Sequence, residues 1–113
     1  MGFQCRSTGG TSDGLSFQLC VDAASFGMDV KVSLTNWTPA HRAGTQADWV
    51  MKLYRRQSNG TVLLAGTRTG YVSADSPSHR IFTNVKRGEL ELSLVFTNLE
   101  DNRYNSYLTG IWH

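Results

Sequence analysis

The sequence has 113 residues and lacks the features that assign a chain to a membrane or nucleic-acid class. No apolar run approaches the roughly 18 residues that cross a bilayer as a helix, so we expect no membrane insertion. Charged residues make up 18% of the chain, and 11 basic against 9 acidic side chains leave a net charge of +2. A charge that small does not indicate a nucleic acid or an anionic membrane as the partner, and we expect no nucleic-acid binding.

Catalytic and metal-binding motifs are missing as well. The chain contains no Gly-x-Ser-x-Gly turn, no Cys-x-x-Cys pair, no His-Glu-x-x-His signature and no Asp-rich calcium loop. Glu89 and Glu91 lie two positions apart, a spacing that places two carboxylates on one side of a strand for acid–base chemistry. The same spacing is typical of the solvated face of an amphipathic strand, which is the interpretation that we favour. We therefore expect no enzyme activity, no cofactor and no metal.

The chain does contain apolar residues at every second position. This alternation runs through residues 15–21, 28–34 and 90–96. Successive side chains of a β-strand point to opposite faces, so each segment predicts a strand with one buried and one solvated face. Residues 48–56 carry apolar side chains on both faces, which predicts a central strand with Trp49 in the core.

Further strands are predicted between turn signals. Asn59-Gly60 separates residues 48–56 from residues 61–67, and an Asn-Gly pair between β-rich runs is typical of a hairpin turn. The remaining predicted strands are residues 71–73, 80–85 and 104–112. Amphipathic strands bury their apolar faces when two sheets pack together. The sequence thus predicts one all-β domain over residues 1–113, an immunoglobulin-like antiparallel two-sheet sandwich of about seven to nine strands.

Cys5 and Cys20 are the two cysteines of the chain, and they lie 15 positions apart. The glycine-rich segment between them favours a turn that folds residues 1–7 back against residues 15–21 and brings the sulfur atoms together. We predict a disulfide that ties an N-terminal arm of residues 1–12 to the sandwich, and the alternative is two unpaired thiols. A loop of this length closed by a disulfide adds about 3 kcal/mol to stability.

A disulfide indicates an oxidising compartment, and on that basis we predict a secreted protein. The first residues, Met1-Gly2-Phe3-Gln4, lack the basic and apolar stretches of a signal peptide. We therefore expect the chain to correspond to the mature form of a secreted protein.

Exposed aromatic and arginine side chains are the candidate binding residues. Trp37, Tyr71 and Tyr104 lie at or near the ends of predicted strands, where an exposed ring can stack on a sugar or anchor a protein interface. Arg55 and Arg56 precede the predicted hairpin turn, and arginine is enriched in protein interfaces. The alternatives are core packing for the aromatic residues and ordinary solvated charge for the arginines.

Two short motifs carry a resemblance to known domains. They are Gly-Leu-Ser-Phe-Gln-Leu-Cys-Val at residues 14–21 and Tyr-Leu-Thr-Gly-Ile-Trp at residues 107–112. In these motifs the sequence resembles small secreted bacterial immunoglobulin-like β-sandwich domains of mostly unassigned function. Domains of that kind carry an early disulfide and end in a strand with a short aromatic and Thr-Gly tail. Some of them are binding or adaptor parts of extracellular assemblies. The resemblance implies a similar role here and carries over no catalytic residue.

These inferences favour a secreted, non-catalytic interaction or adaptor module that binds another extracellular protein through loops or a sheet edge. The aromatic residues leave a carbohydrate-binding, lectin-like module as an alternative, with a glycan as the ligand. A third interpretation is a secreted protease inhibitor, because a rigid, disulfide-bonded β domain with protruding loops suits that function.

Overall fold

The computed structural model describes residues 2–9, 16–35, 46–73, 76–99 and 104–113. The regular structure within them consists of eight β-strands. In chain order these are β1 (Phe3–Gly9), β2 (Ser16–Asp22), β3 (Val30–Thr35), β4 (Gln46–Arg56), β5 (Val62–Ser73), β6 (Ser78–Phe82), β7 (Glu89–Phe96) and β8 (Ser106–Trp112).

The eight strands form two antiparallel sheets of four strands each. The first sheet has the order β1-β2-β3-β6, and the second sheet has the order β5-β4-β7-β8. This architecture confirms the predicted all-β two-sheet sandwich. An immunoglobulin constant domain places its first, second, fifth and fourth strands in one sheet. The sandwich architecture is shared with such domains, whereas the strand order is different.

The core lies between the two sheets and is built from the alternating apolar positions. In β2, for example, Phe17, Leu19 and Val21 face inward and are buried, while the residues between them are half-buried on the outer side. Trp49 of β4 is 1% exposed, and its indole nitrogen donates a hydrogen bond to Ser78 Oγ over 3.0 Å. The prediction that Trp49 is a core residue is confirmed.

The predicted disulfide is also confirmed. Cys5 of β1 and Cys20 of β2 are bonded, and they are direct neighbours in the antiparallel ladder between these strands. Gln4 attaches β1 to the second sheet as well, because its Nε2 donates to the carbonyl oxygens of Thr109 and Gly110 over 2.9 and 3.1 Å. The described residues of the N-terminal segment thus form an edge strand that is bonded to both sheets.

Residues 61–67 and 71–73, which were predicted as separate strands, belong to the single strand β5. The predicted break at residues 68–70 was wrong, because these residues continue the ladder with β4, and the glycines of β5 lie where the core packs closely against the strand. A Cβ atom at Gly70 would lie 2.7 Å from Cζ2 of Trp49, and one at Gly66 would lie 2.9 Å from a core phenylalanine ring. Glycine is therefore needed where the rings of the core press on the strand.

Candidate interaction surface

The outer face of the second sheet carries more than half of the exposed large apolar side chains in the described residues. Residues opposite each other in antiparallel strands point to the same side of a sheet, so the strand register identifies the members of this face. Its exposed apolar members are between 38% and 57% exposed. We call these members the outer-face apolar set, and they are Val62, Leu64, Tyr71, Val95, Tyr107 and Trp112.

A β-bulge in β8 brings two aromatic rings to this face. Gly110 has a φ of 69°, and β8 contains one extra residue opposite the step from Leu90 to Leu92 in β7. Tyr107 and Trp112 would point to opposite faces of a regular strand, because an odd number of positions separates them. The extra residue places both rings on the outer face.

A second bulge has the corresponding effect in β5. Ala65 is the extra residue, because Leu64 lies opposite Tyr54 whereas Gly66 lies opposite Leu53. The bulge leaves Leu64 on the outer face, 56% exposed, and turns Gly66 toward the core. Both sides of the outer face therefore depend on an irregularity in the strand.

A buried carboxylate lies within the outer face. Glu91 of β7 is 5% exposed, its Oε2 lies 2.8 Å from Arg56 Nη2, and its Oε1 accepts a hydrogen bond of 2.7 Å from the Tyr107 hydroxyl. Glu89 Oε2 lies 3.7 Å from Arg56 Nε. Both oxygens of Glu91 have partners, which offsets the loss of hydration of the buried charge.

The expectation that Glu89 and Glu91 both lie on a solvated face is wrong for Glu91. Its position in the alternation is as predicted, since it lies on the outer side of β7. It is nevertheless buried, because Arg56 from β4 and Tyr107 from β8 bond to it from the two neighbouring strands. The paired glutamates are thus a structural network and not an acid–base pair open to solvent.

The hydrogen bond from Tyr107 to Glu91 also changes the acid–base behaviour of the phenol. This bond, together with burial and the negative charge of Glu91, raises the pKa of Tyr107 from 10.0 to about 12. A phenol with that pKa is protonated near neutral pH and remains a donor. The network is therefore a fixed polar element of the outer face.

A groove separates β5 from the segment of residues 83–88, and we call it the β5 groove. Its volume is about 220 Å³. Small-molecule sites have volumes of roughly 300–1,000 Å³, so this groove suits one or two side chains better than a cofactor. Its lining residues are Arg55, Leu63, Leu64, Ala65, Asn84, Val85 and Lys86.

The segment of residues 83–88 is a fixed wall of the groove. β6 ends at Phe82, earlier than the sequence predicts, and the chain then turns away from the first sheet's ladder. The backbone nitrogen of Val85 donates to the carbonyl oxygen of Met28 over 2.8 Å. Nε2 of His113 lies 2.9 Å from the carbonyl oxygen of Val85. These bonds position the wall before any ligand is bound.

The predicted binding residues lie in different environments. Arg55 lines the β5 groove, Arg56 belongs to the buried carboxylate network, and Tyr71 is 50% exposed on the outer face. Tyr104 requires a correction, because it is 2% exposed and cannot offer its ring to a ligand. It precedes β8 and packs into the hydrophobic core. Trp37 lies outside the described residues.

Four exposed residues were not predicted from the sequence as surface residues, namely Leu63, Leu64, Tyr107 and Trp112. The available signal for the leucines is the apolar run without alternation at residues 62–65, which places apolar side chains on both faces of a strand. The signal for the aromatic pair is a glycine inside a predicted strand, since such a glycine is typical of a bulge.

The described residues contain no group of three or more His, Cys, Asp or Glu side chains arranged to hold a metal ion. They also contain no helix that is long and apolar enough to cross a membrane.

Comparison of this chain with protein-family models, curated proteins and solved structures found no match. The function is therefore inferred from the chemistry of the outer face and of the β5 groove.

Proposed function

We propose that this chain is a secreted, non-catalytic interaction module that binds another extracellular protein through the outer face of the second sheet. The observation that supports this proposal is the outer-face apolar set, in which large side chains on one side of one sheet are 38–57% exposed. Apolar side chains concentrated on one surface of a small domain are typical of a protein-interaction site.

The chemistry of the face matches that of protein interfaces. Tyrosine, tryptophan and arginine are enriched at interface centres, and Tyr107, Trp112 and Arg56 lie on this face. The charge of Glu91 already has its partners, so a covering protein does not leave an unpaired carboxylate. Side chains held in a network lose less conformational entropy on binding than free ones do.

The disulfide supports the secreted location in this proposal. A bond such as Cys5–Cys20 persists in an oxidising compartment and is rare in the cytosol. The bond joins β1 to β2 within the first sheet, so it stabilises the domain without occupying the outer face of the second sheet.

Photo-cross-linking from matched positions tests the proposal. A photoreactive residue at Val95, 40% exposed on the outer face, is compared with one at Ile81, 50% exposed on the outer side of the first sheet. The labelled chains are exposed to the extracellular fraction of the producing culture. The captured protein is identified, purified and titrated with the unlabelled chain.

We expect saturable binding of the purified partner that Val95→Glu weakens by at least about tenfold, equivalent to ~1.4 kcal/mol. Ile81→Glu introduces the same charge on the other sheet and leaves the affinity within about twofold. Equal capture from both positions, or equal effects of both variants, would contradict the proposal.

Carbohydrate binding is a second candidate, favoured by the aromatic pair on β8. Tyr107 and Trp112 are 48% and 57% exposed on one face, and exposed aromatic rings with polar neighbours can stack on sugars. A glycan array tests this candidate directly. It predicts a specific glycan signal that Trp112→Ala abolishes and Trp112→Phe retains, and an array without signal removes it.

A further inference from the structure

The backbone edge of β5 is covered along one half and open along the other. β5 pairs with β4 alone, so its second edge faces away from the sheet. In the second half, Nε and Nη2 of Arg68 donate to the carbonyl oxygen of Ile81 over 3.3 and 3.1 Å, and Ser78 Oγ donates to the carbonyl oxygen of Tyr71. Among the described residues, no side chain bonds across the edge at residues 62–65.

The open half is also the apolar half of the strand. Val62, Leu63 and Leu64 are 38%, 51% and 56% exposed, and Ala65 is exposed beside them. An uncovered apolar edge strand is a template for pairing with another strand. The bulge at Ala65 limits regular pairing to the residues that precede it, so the open edge suits a short segment.

Two positive charges flank this edge in the β5 groove. Arg55 and Lys86 both line the groove, together with Leu63. Within the described part of the chain neither cation forms an ion pair, whereas Arg56 is bonded to Glu91. The groove thus combines exposed apolar side chains, unneutralised positive charge and the open backbone edge of β5. The opposite wall, residues 83–88, is already held in position by hydrogen bonds.

We infer that the β5 groove binds a short extended acidic segment of another protein. The segment pairs with the backbone edge at residues 62–65, packs an apolar side chain against Leu63 and places carboxylates near Arg55 and Lys86. Side chains at alternate positions of a strand point the same way, so a segment with acidic and apolar residues in alternation meets both requirements. This inference depends on the proposed function only in that the partner is a protein, because the groove and the outer-face apolar set share Leu64 alone.

A second copy of this chain fits the groove less well. Pairing of two β5 edges would bring Arg55 and Lys86 of both copies to one interface, where like charges repel. An acidic segment neutralises the same charges. The charge of the groove therefore favours a heterologous acidic partner.

A peptide library tests the inference on the full chain. The library has ten-residue peptides in which Glu or Asp alternates with Val, Ile, Leu or Tyr, and a control library has Lys at the acidic positions. Binding is followed by two-dimensional NMR of the labelled protein and by titration. The matched variants are Lys86→Glu, in the groove, and Lys52→Glu, an equal charge change at an exposed position on the outer face.

We expect an acidic peptide to bind saturably and to protect from exchange those backbone amides of residues 62–65 that face away from β4. Lys86→Glu should weaken this binding by about fivefold or more, and Lys52→Glu by less than about twofold at physiological salt. The control library should not bind.

Three results would overturn the inference. They are the absence of a saturable acidic binder, equal binding of the lysine library, and protection of the same amides by self-association of the free chain. The outcome is separable from that of the proposed function, which Val95→Glu tests at a residue outside the groove. If no library peptide binds but Val95→Glu weakens partner binding strongly, the inference about the groove is wrong and the proposed function stands. The reverse result contradicts the proposed function alone.

Discussion

The two outer faces of the sandwich differ in how they use apolar side chains. On the first sheet, the exposed side chains of Phe3 and Ile81 lie on the two edge strands. They are the ends of one row of paired residues across the sheet, and Asp22 and Lys31 lie between them. Three strand spacings separate the two, roughly 14 Å. On the second sheet, the outer-face apolar set has six members on β5, β7 and β8, and these lie on both sides of the buried carboxylate of Glu91.

From this difference we infer a division of roles between the sheets. The first sheet presents a polar outer side that carries the disulfide, so its outer face contributes to stability. The second sheet pairs the charges of Arg56, Glu89 and Glu91 with one another and leaves large apolar side chains exposed, and we propose its outer face as the one that associates. Loss of the disulfide is therefore expected to affect stability and not binding, whereas loss of an exposed apolar side chain of the outer-face apolar set is expected to affect binding.

The largest expected effect on stability is the loss of the disulfide. The double variant Cys5→Ser, Cys20→Ser releases a loop of 15 residues, which should lower the free energy of unfolding by about 3 kcal/mol. The affinity of the folded variant for a partner should stay the same. Urea unfolding checks the stability and titration with the partner checks the affinity. An unchanged unfolding midpoint or a lost affinity would contradict the roles assigned to the two sheets.

The next largest effect concerns the network on the second sheet. Arg56→Ala removes the cation bonded to the buried Glu91, and we expect a loss of about 1–2 kcal/mol because Arg56 is itself partly exposed. Lys52→Ala on the same face is the control, with an expected change below about 0.5 kcal/mol. Urea unfolding of both variants decides, and equal midpoints would show that the network does not stabilise the face.

The bulge in β8 gives a smaller effect. Gly110→Ala places a side chain at a φ of 69°, which should lower the free energy of unfolding by about 1 kcal/mol. Gly27→Ala, at a φ of 63° in a loop of the first sheet, should have the same cost. The NMR signal of the Trp112 indole should move in the Gly110 variant alone. A Gly110→Ala variant as stable as the parent would mean that the bulge is absent.

The smallest effect is the titration of the network phenol. Tyr107 has a folded pKa of about 12 against an ordinary value of 10.0, so the stabilisation from its bond to Glu91 is complete below pH 10 and is lost as the pH rises through 12. The ultraviolet absorbance change that Tyr107→Phe removes should have its midpoint near pH 12. A midpoint near 10 would show that the bond to Glu91 does not form in solution.

The alternation of side chains predicts the strands but not the surface. The period of two identifies β2, β3 and β7, and the cysteine spacing identifies the disulfide, because both depend on local sequence. The faces of Leu64 and Trp112 depend on single inserted residues, at Ala65 and near Gly110. A shift of one residue reverses the direction of every later side chain, so a pattern read without the bulges assigns these residues to the wrong face.

Burial on the outer faces also depends on neighbours that are distant in sequence. Glu91 has the same alternating position as an ordinary solvated residue, and its burial follows from pairing with β4 and β8. Tyr104 looks like part of an exposed aromatic strand end, but β8 begins two residues later and the ring packs into the core. Strand pairing decides the burial of Glu91 and the start of β8 decides that of Tyr104, and the local alternation specifies neither.

The most direct test of the proposed binding face is the affinity of a purified extracellular partner for two matched variants. Trp112 and Phe3 are 57% and 53% exposed, on the outer sides of the second and first sheets. We predict that Trp112→Ala weakens binding by at least about tenfold and that Phe3→Ala changes it by less than about twofold. Loss of affinity in Phe3→Ala with none in Trp112→Ala would place the interaction on the other face and contradict the account.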